Sequence, residues 1–154
     1  MNIVCGIIAI ALSTFVGYYL SSKWTDKKEF YSDFLAFHSN ALKEIEFSKK
    51  TLIEISSKFS EEKDFGKVLK SKLTTPNELN FKPKYLTEDE IKYLEDYFSA
   101  LGKGDERSEA NFLKGETEAI SNKASEATLN EKKYKKLYLK IGFLLGLMIF
   151  IVLI

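Results

Sequence analysis

Apolar positions are unevenly spread along this chain: they crowd its two ends and thin to a helical stripe between them. Ile3 to Leu20 (IVCGIIAIALSTFVGYYL) is a run of 18 residues without a charge. As a helix it is about 27 Å long, close to the ~30 Å hydrocarbon core of a bilayer. At the other end, Ile141 to Ile154 adds 14 uncharged residues, and Leu137, Tyr138, Leu139 and Lys140 extend the stretch to 18. Lys140 would carry its ammonium back to the headgroups along its own alkyl stem. Two membrane-spanning helices are expected. The first reads as an uncleaved anchor, since only Met1 and Asn2 precede it and a signal peptide opens on a basic segment.

Between the spans the apolar period is near 3.6 residues, and no run of alternating β-branched residues occurs. Phe30, Phe34, Phe37, Ala41, Ile45, Leu52, Ile55 and Phe59 mark one long helix or two joined near Phe47 to Lys50. Thr51 and Glu54 have the spacing of a capping box, which favours a restart there. Phe65, Val68, Leu69 and Leu73 mark a short helix stopped by Thr74-Thr75-Pro76, and Asn77 to Tyr85 reads as a loop. Thr87 and Glu90 make a second capping box, with Leu86 and Ile91 placed for a hydrophobic staple. Ile91, Leu94, Phe98 and Leu101 then share a face, and Gly102 stands where a left-handed C-cap needs no Cβ. Asp105 is the expected N-cap of a last helix that holds register through Phe112, Leu113, Ile120, Ala124, Ala127 and Tyr134 into the second apolar run. The expected fold is all-α: an antiparallel helical bundle over residues 21–136, cytoplasmic, between transmembrane helices at 1–20 and 137–154.

Charge sets the orientation. Lys23, Lys27 and Lys28 follow the first span, and Lys132, Lys133, Lys135, Lys136 and Lys140 lead into the second, whereas the outer tails carry no Lys or Arg. The positive-inside rule puts the middle in the cytoplasm, with Tyr18, Tyr19, Trp24, Tyr134 and Tyr138 at the interfaces. The lysines read as a solvated, membrane-flanking face. They do not read as a nucleic-acid patch, because the chain's net charge is only +1.

Composition removes most chemistry. One Cys and one His leave no disulfide framework, no Cys zinc site and no His cluster. There is no P-loop, GxSxG, HExxH or dinucleotide fingerprint, so neither enzyme activity, metal nor cofactor is expected. Glu88-Asp89-Glu90 favours the positive end of a helix dipole, His38 reads as a structural histidine, and Cys5 as a small packing residue. More informative is a small-residue stripe at Cys5, Ala9, Ser13 and Gly17, matched by Gly142 and Gly146 in the second span. Such spacing lets helix backbones approach in a bilayer, within the chain or with a partner.

The order of pieces resembles a known family. Glu44-Ile45-Glu46-Phe47 is followed by Leu52, and Leu86-Thr87-Glu88-Asp89 opens a helix that leads to Leu101-Gly102-Lys103-Gly104-Asp105. A Lys-rich helix then enters Gly142-Phe143-Leu144-Leu145-Gly146-Leu147. This sequence of motifs is similar to the stage III sporulation protein AB family of endospore formers, which usually has Gln where this chain has Glu109. The resemblance implies a non-enzymatic membrane platform, like the inner-membrane platform subunit of type II secretion and type IV pilus systems. It would stand in the mother-cell membrane around the forespore, as part of the channel apparatus. Its partners would be the sporulation ATPase (stage III sporulation protein AA-like) and other membrane proteins of the operon, with homo-oligomers possible and no nucleic acid. On that reading the ATPase-facing surface is the stretch carrying Glu88, Asp89, Glu95, Asp96, Asp105 and Glu106 against only Lys92 and Lys103. A generic membrane-anchored scaffold or regulator of division or envelope processes is the alternative.

Overall fold

A computed structural model describes residues 2–47, 52–74 and 79–153, all of whose regular structure is helical. In chain order the elements are α1 (Asn2–Phe47), α2 (Leu52–Ser56), α3 (Asp64–Thr74), α4 (Glu88–Ala100) and α5 (Glu106–Leu153). α1 and α2 lie on either side of the expected restart near Phe47 to Lys50. The joint itself, with the Thr51 capping box, lies outside the described residues, as do Thr75 and Pro76. The helical reading carried too far at Phe59: α2 ends at Ser56, and turns take over, with Lys58 N–H on the Ile55 carbonyl and Phe59 N–H on that of Ser56.

The start and stop of α4 follow from local chemistry. Thr87 N–H donates to Glu90 Oε2 at 2.9 Å, and Glu90 N–H donates to Thr87 Oγ1 at 3.3 Å, so two otherwise orphaned donors are satisfied. At the other end Gly102 takes φ 82°, a left-handed conformation that a Cβ would strain. Its N–H donates to the Glu109 carboxylate, a bond that the amide oxygen of a Gln could accept equally. Asp105 Oδ1 accepts from Ser108 N–H at 3.0 Å and opens α5. Hydrogen bonds from the Ser108 side chain and backbone hold this carboxyl below the usual carboxylate range. No Pro interrupts α5, which runs its 48 residues continuously, about 72 Å at 1.5 Å per residue.

Two compact units result. One comprises residues 29–125. Its core is built on the aromatic face of α1, where Phe30, Tyr31, Phe34 and Phe37 are buried. Phe65 of α3 meets Phe30 edge-on at 5.4 Å, and Tyr97 of α4 meets Phe34 edge-on at 4.9 Å. Ile55, Val68, Leu94, Leu113 and Ile120 close the core from the remaining helices. The loop before α4 is tied down: Tyr85 Oη donates to Asp64 Oδ2 at 2.9 Å, and Asn80 N–H to Ser71 Oγ at 2.7 Å.

The other unit joins residues 1–28 to 126–154. Here α1 and α5 run antiparallel: Gly146 faces Ile10, Gly142 faces Ser13, Gly17 faces Tyr138, and Trp24 stacks on Tyr134 at 4.2 Å. A Cβ added at Gly142 would lie 2.8 Å from the Ser13 carbonyl oxygen, and one at Gly17 2.6 Å from that of Tyr138. Ser13 Oγ donates across the pair to the Gly142 carbonyl at 2.6 Å. Large apolar side chains point away: Phe15, Val16, Tyr19, Leu144, Met148, Ile151 and Val152 are exposed, Val152 by 80%. By length and apolarity α1 qualifies as a membrane-crossing helix within Val4–Ile45.

Candidate functional site

Three constellations were legible as candidates: the acidic residues along α4, the small residues of the paired helices, and the single histidine. The acidic residues do not converge. Thirteen residues of α4 span about 20 Å, so Glu88 and Asp89 stand at one end and Asp105 and Glu106 beyond the other. Along the helix, Glu88 and Glu95 share one row and Asp89 and Asp96 the next, since seven residues are close to two turns. Glu88, Asp89, Asp96, Asp105 and Glu106 are exposed. Glu95 is half-buried and ion-paired, with Lys82 Nζ at 3.2 Å. Asp105 is an N-cap. What is left as a surface carboxylate row is Asp89 with Asp96, flanked by Glu88.

The small residues are brought together. Ser13 and Gly17 of α1 meet Gly142 and Gly146 of α5 in one seam, with Ala9 half-buried beside it. Cys5, read as a packing residue, is instead exposed, and its neighbour Gly6 is buried against the Phe150 ring. Gly6 escaped the sequence reading because a stripe drawn every four residues advances 40° per step and leaves the contact line. The contact line is Gly6, Ile10, Ser13, Gly17 and Ser21, at steps of four, three, four and four.

His38 is fully enclosed, with 0% exposure, in the core of residues 29–125. Its Nδ1 lies 2.9 Å from Tyr97 Oη, and its Nε2 3.0 Å from Thr117 Oγ1. The Thr117 hydroxyl proton is committed to the Leu113 carbonyl at 3.0 Å, so Thr117 accepts from Nε2–H. Nδ1 is then the acceptor, and Tyr97 donates to it. This is a neutral ring, fixed in one tautomer by α4 and α5. Desolvation lowers the His38 pKa, opposed by the charge of nearby Glu116. Tyr93 Oη donates to Glu116 Oε2 at 2.6 Å, and burial drives the Tyr93 and Tyr97 phenols well above their ordinary value. With both ring nitrogens engaged and no route to solvent, His38 holds three helices together and offers nothing to a ligand. Among the described residues no group of three or more His, Cys, Asp or Glu is placed to hold a metal ion.

A family model described as stage III sporulation protein AB matches residues 77–154, which take in the capped α4, the Gly102 turn and all of α5. No curated protein and no solved structure matches the chain. The chain belongs to the stage III sporulation protein AB family, a family of sporulation assembly proteins and not a known enzyme family, and its role lies in sporulation.

Proposed function

We propose that this protein is a two-span membrane platform of the channel apparatus between mother cell and forespore, with residues 29–125 on the cytoplasmic side. The observation that carries the reading is the inverted packing of α1 against α5. Glycines and serines line the contact and most of the leucines, isoleucines and phenylalanines face away from it, a surface stable against acyl chains but costly in water. The helical unit between the spans then presents the Asp89–Asp96 row to a basic face of the sporulation ATPase, and the protein transmits position without hydrolysing anything itself.

Two experiments test it. A Lys63→Cys variant in a Cys5→Ser background is expected to react with an impermeant maleimide only after cells are permeabilised; labelling in intact cells reverses the topology. Isolation of the protein from sporulating cells is expected to bring the ATPase with it, and the pair Asp89→Lys and Asp96→Lys to lose it while the helix content stays unchanged. Undiminished recovery with that variant removes the α4 row as the docking face.

A further inference from the structure

We propose that the inner end of the α1–α5 pair is a binding seam for anionic phospholipid headgroups, built around the Trp24–Tyr134 stack. This rests on the membrane reading above and adds a lipid class to it.

Charge is concentrated there beyond what orienting two helices requires. Residues 1–28 and 126–154 hold eight lysines against Asp26, Glu126 and Glu131, a surplus of five positive charges in a chain whose net charge is +1. Glu131 is buried and answers two of the lysines, Lys28 Nζ at 3.9 Å and Lys135 Nζ at 3.4 Å. Two more flank the aromatic stack. Lys23 Nζ lies 5.4 Å from the Trp24 centroid and 5.8 Å from that of Tyr138, and Lys133 Nζ lies 5.4 Å from that of Tyr134. Lys23, Lys132, Lys133, Lys136 and Lys140 are all exposed.

Height along the pair selects the occupant. Gly17 sits against Tyr138 and Gly142, so Lys140 is level with exposed Tyr18, Tyr19 and Leu20, inside the apolar collar. Lys23, Lys133 and Lys136 stand within about a turn of the stack, just where that collar ends. A soluble anion has no use for lysines standing in an apolar collar. A phosphodiester tied to two acyl chains does: its chains lie on the exposed apolar faces while its phosphate meets the ammonium groups. A second observation asks for an acceptor at the same height. The Trp24 Nε1–H is buried and meets none among the described residues, with the movable Lys23 side chain beside it. An interfacial indole ordinarily donates to headgroup or ester oxygens.

Trp24 is the sole tryptophan and reports on its own neighbourhood. The full chain is reconstituted in phosphatidylcholine vesicles doped with brominated phosphatidylglycerol or, in parallel, brominated phosphatidylcholine. Trp24 is expected to be quenched at several-fold lower mole fraction by the anionic lipid. The variant Lys23→Gln, Lys133→Gln, Lys136→Gln should lose that preference, roughly fivefold per lysine at most, with zwitterionic quenching unchanged. Should the variant fail to insert, the wild-type preference is followed with salt, and it must fall as ionic strength rises. Equal quenching by the two lipids, a salt-insensitive preference, or displacement by millimolar inorganic phosphate each overturns the lipid seam while leaving the membrane reading standing. No quenching by either lipid overturns the membrane reading itself.

Discussion

The two units of this chain bury opposite kinds of side chain. In residues 29–125 the interior is bulky, with Phe30, Tyr31, Phe34, Phe37 and Phe65 all but inaccessible. In the unit formed by the chain's two ends, the buried positions among the described residues are Gly6, Gly17, Ser21, Ala127, Glu131, Gly142 and Gly146, and most of the bulky apolar residues face out. Charge divides in the same way: the end unit carries a surplus of five positive charges, so the chain's net of +1 leaves residues 29–125 with a surplus of four negative ones. On the membrane reading proposed above, the same amino-acid types are sorted by opposite rules because the surroundings differ. Water drives apolar bulk inward, whereas acyl chains are as apolar as Leu, so only close backbone approach and hydrogen bonds hold helices together there.

If that contrast is right, removing bulk should harm one unit and adding bulk the other. Phe34→Ala should have the largest effect, about 3–5 kcal/mol of stability, because it empties a site that touches Phe65, Tyr97 and Phe98. Thermal unfolding followed by the tyrosine near-ultraviolet signal measures it, and a loss under 1 kcal/mol would deny residues 29–125 a tightly packed core. Gly142→Leu comes next, at about 1–3 kcal/mol against the α1–α5 pair, since its first side-chain atom meets the Ser13 carbonyl. Cross-linking between cysteines introduced at Ile10 and Leu147 should fall in that variant, and unchanged cross-linking would show that the pair does not need its glycine.

The third test is acidification. Because burial depresses the His38 pKa, the unfolded chain binds its proton more readily than the folded one. Its contribution is whole above the ordinary value of 6.5 and drains away as pH falls from there through the folded value. Protonation would also leave Nδ1–H pointing at the donor Tyr97, with Thr117, Glu116 and the Leu113 carbonyl on α5 the other polar groups near the ring. The melting temperature should drop between pH 7 and pH 5, before most carboxylates titrate, and His38→Gln should flatten that window. The smallest effect belongs to the outward face of the pair. Ile151→Ala, at a position 73% exposed, should change α1–α5 cross-linking by less than about 0.5 kcal/mol. A larger loss would place Ile151 in a protein interface.

Elements whose cause is local were legible one residue at a time. Thr87 and Glu90 form their reciprocal bonds within one turn, Gly102 needs only its own φ, and Asp105 only the N–H of Ser108. The apolar ends, the helical period between them and the lysines that flank them are likewise sums over neighbours in sequence, so composition and order were enough to read them. Family membership was legible for the same reason, as an order of short motifs.

Tertiary structure decided which faces meet. Whether Cys5 or Gly6 enters the contact depends on a rotation of α1 that neighbouring residues do not encode, since both are small and one position apart turns a side chain through 100°. Glu95 looked like part of an acidic face until Lys82, thirteen positions earlier, was found beside it. His38 looked like a lone structural histidine, and only the approach of Tyr97 from α4 and Thr117 from α5 made it a neutral ring in a fixed tautomer. The start and stop of α4 and the start of α5 are set by interactions within a few residues, and the sequence alone determined those. The partner of each side chain is set by contacts 59, 79 or 129 residues distant, as at His38–Tyr97, His38–Thr117 and Ser13–Gly142, and those exist only once the helices are packed.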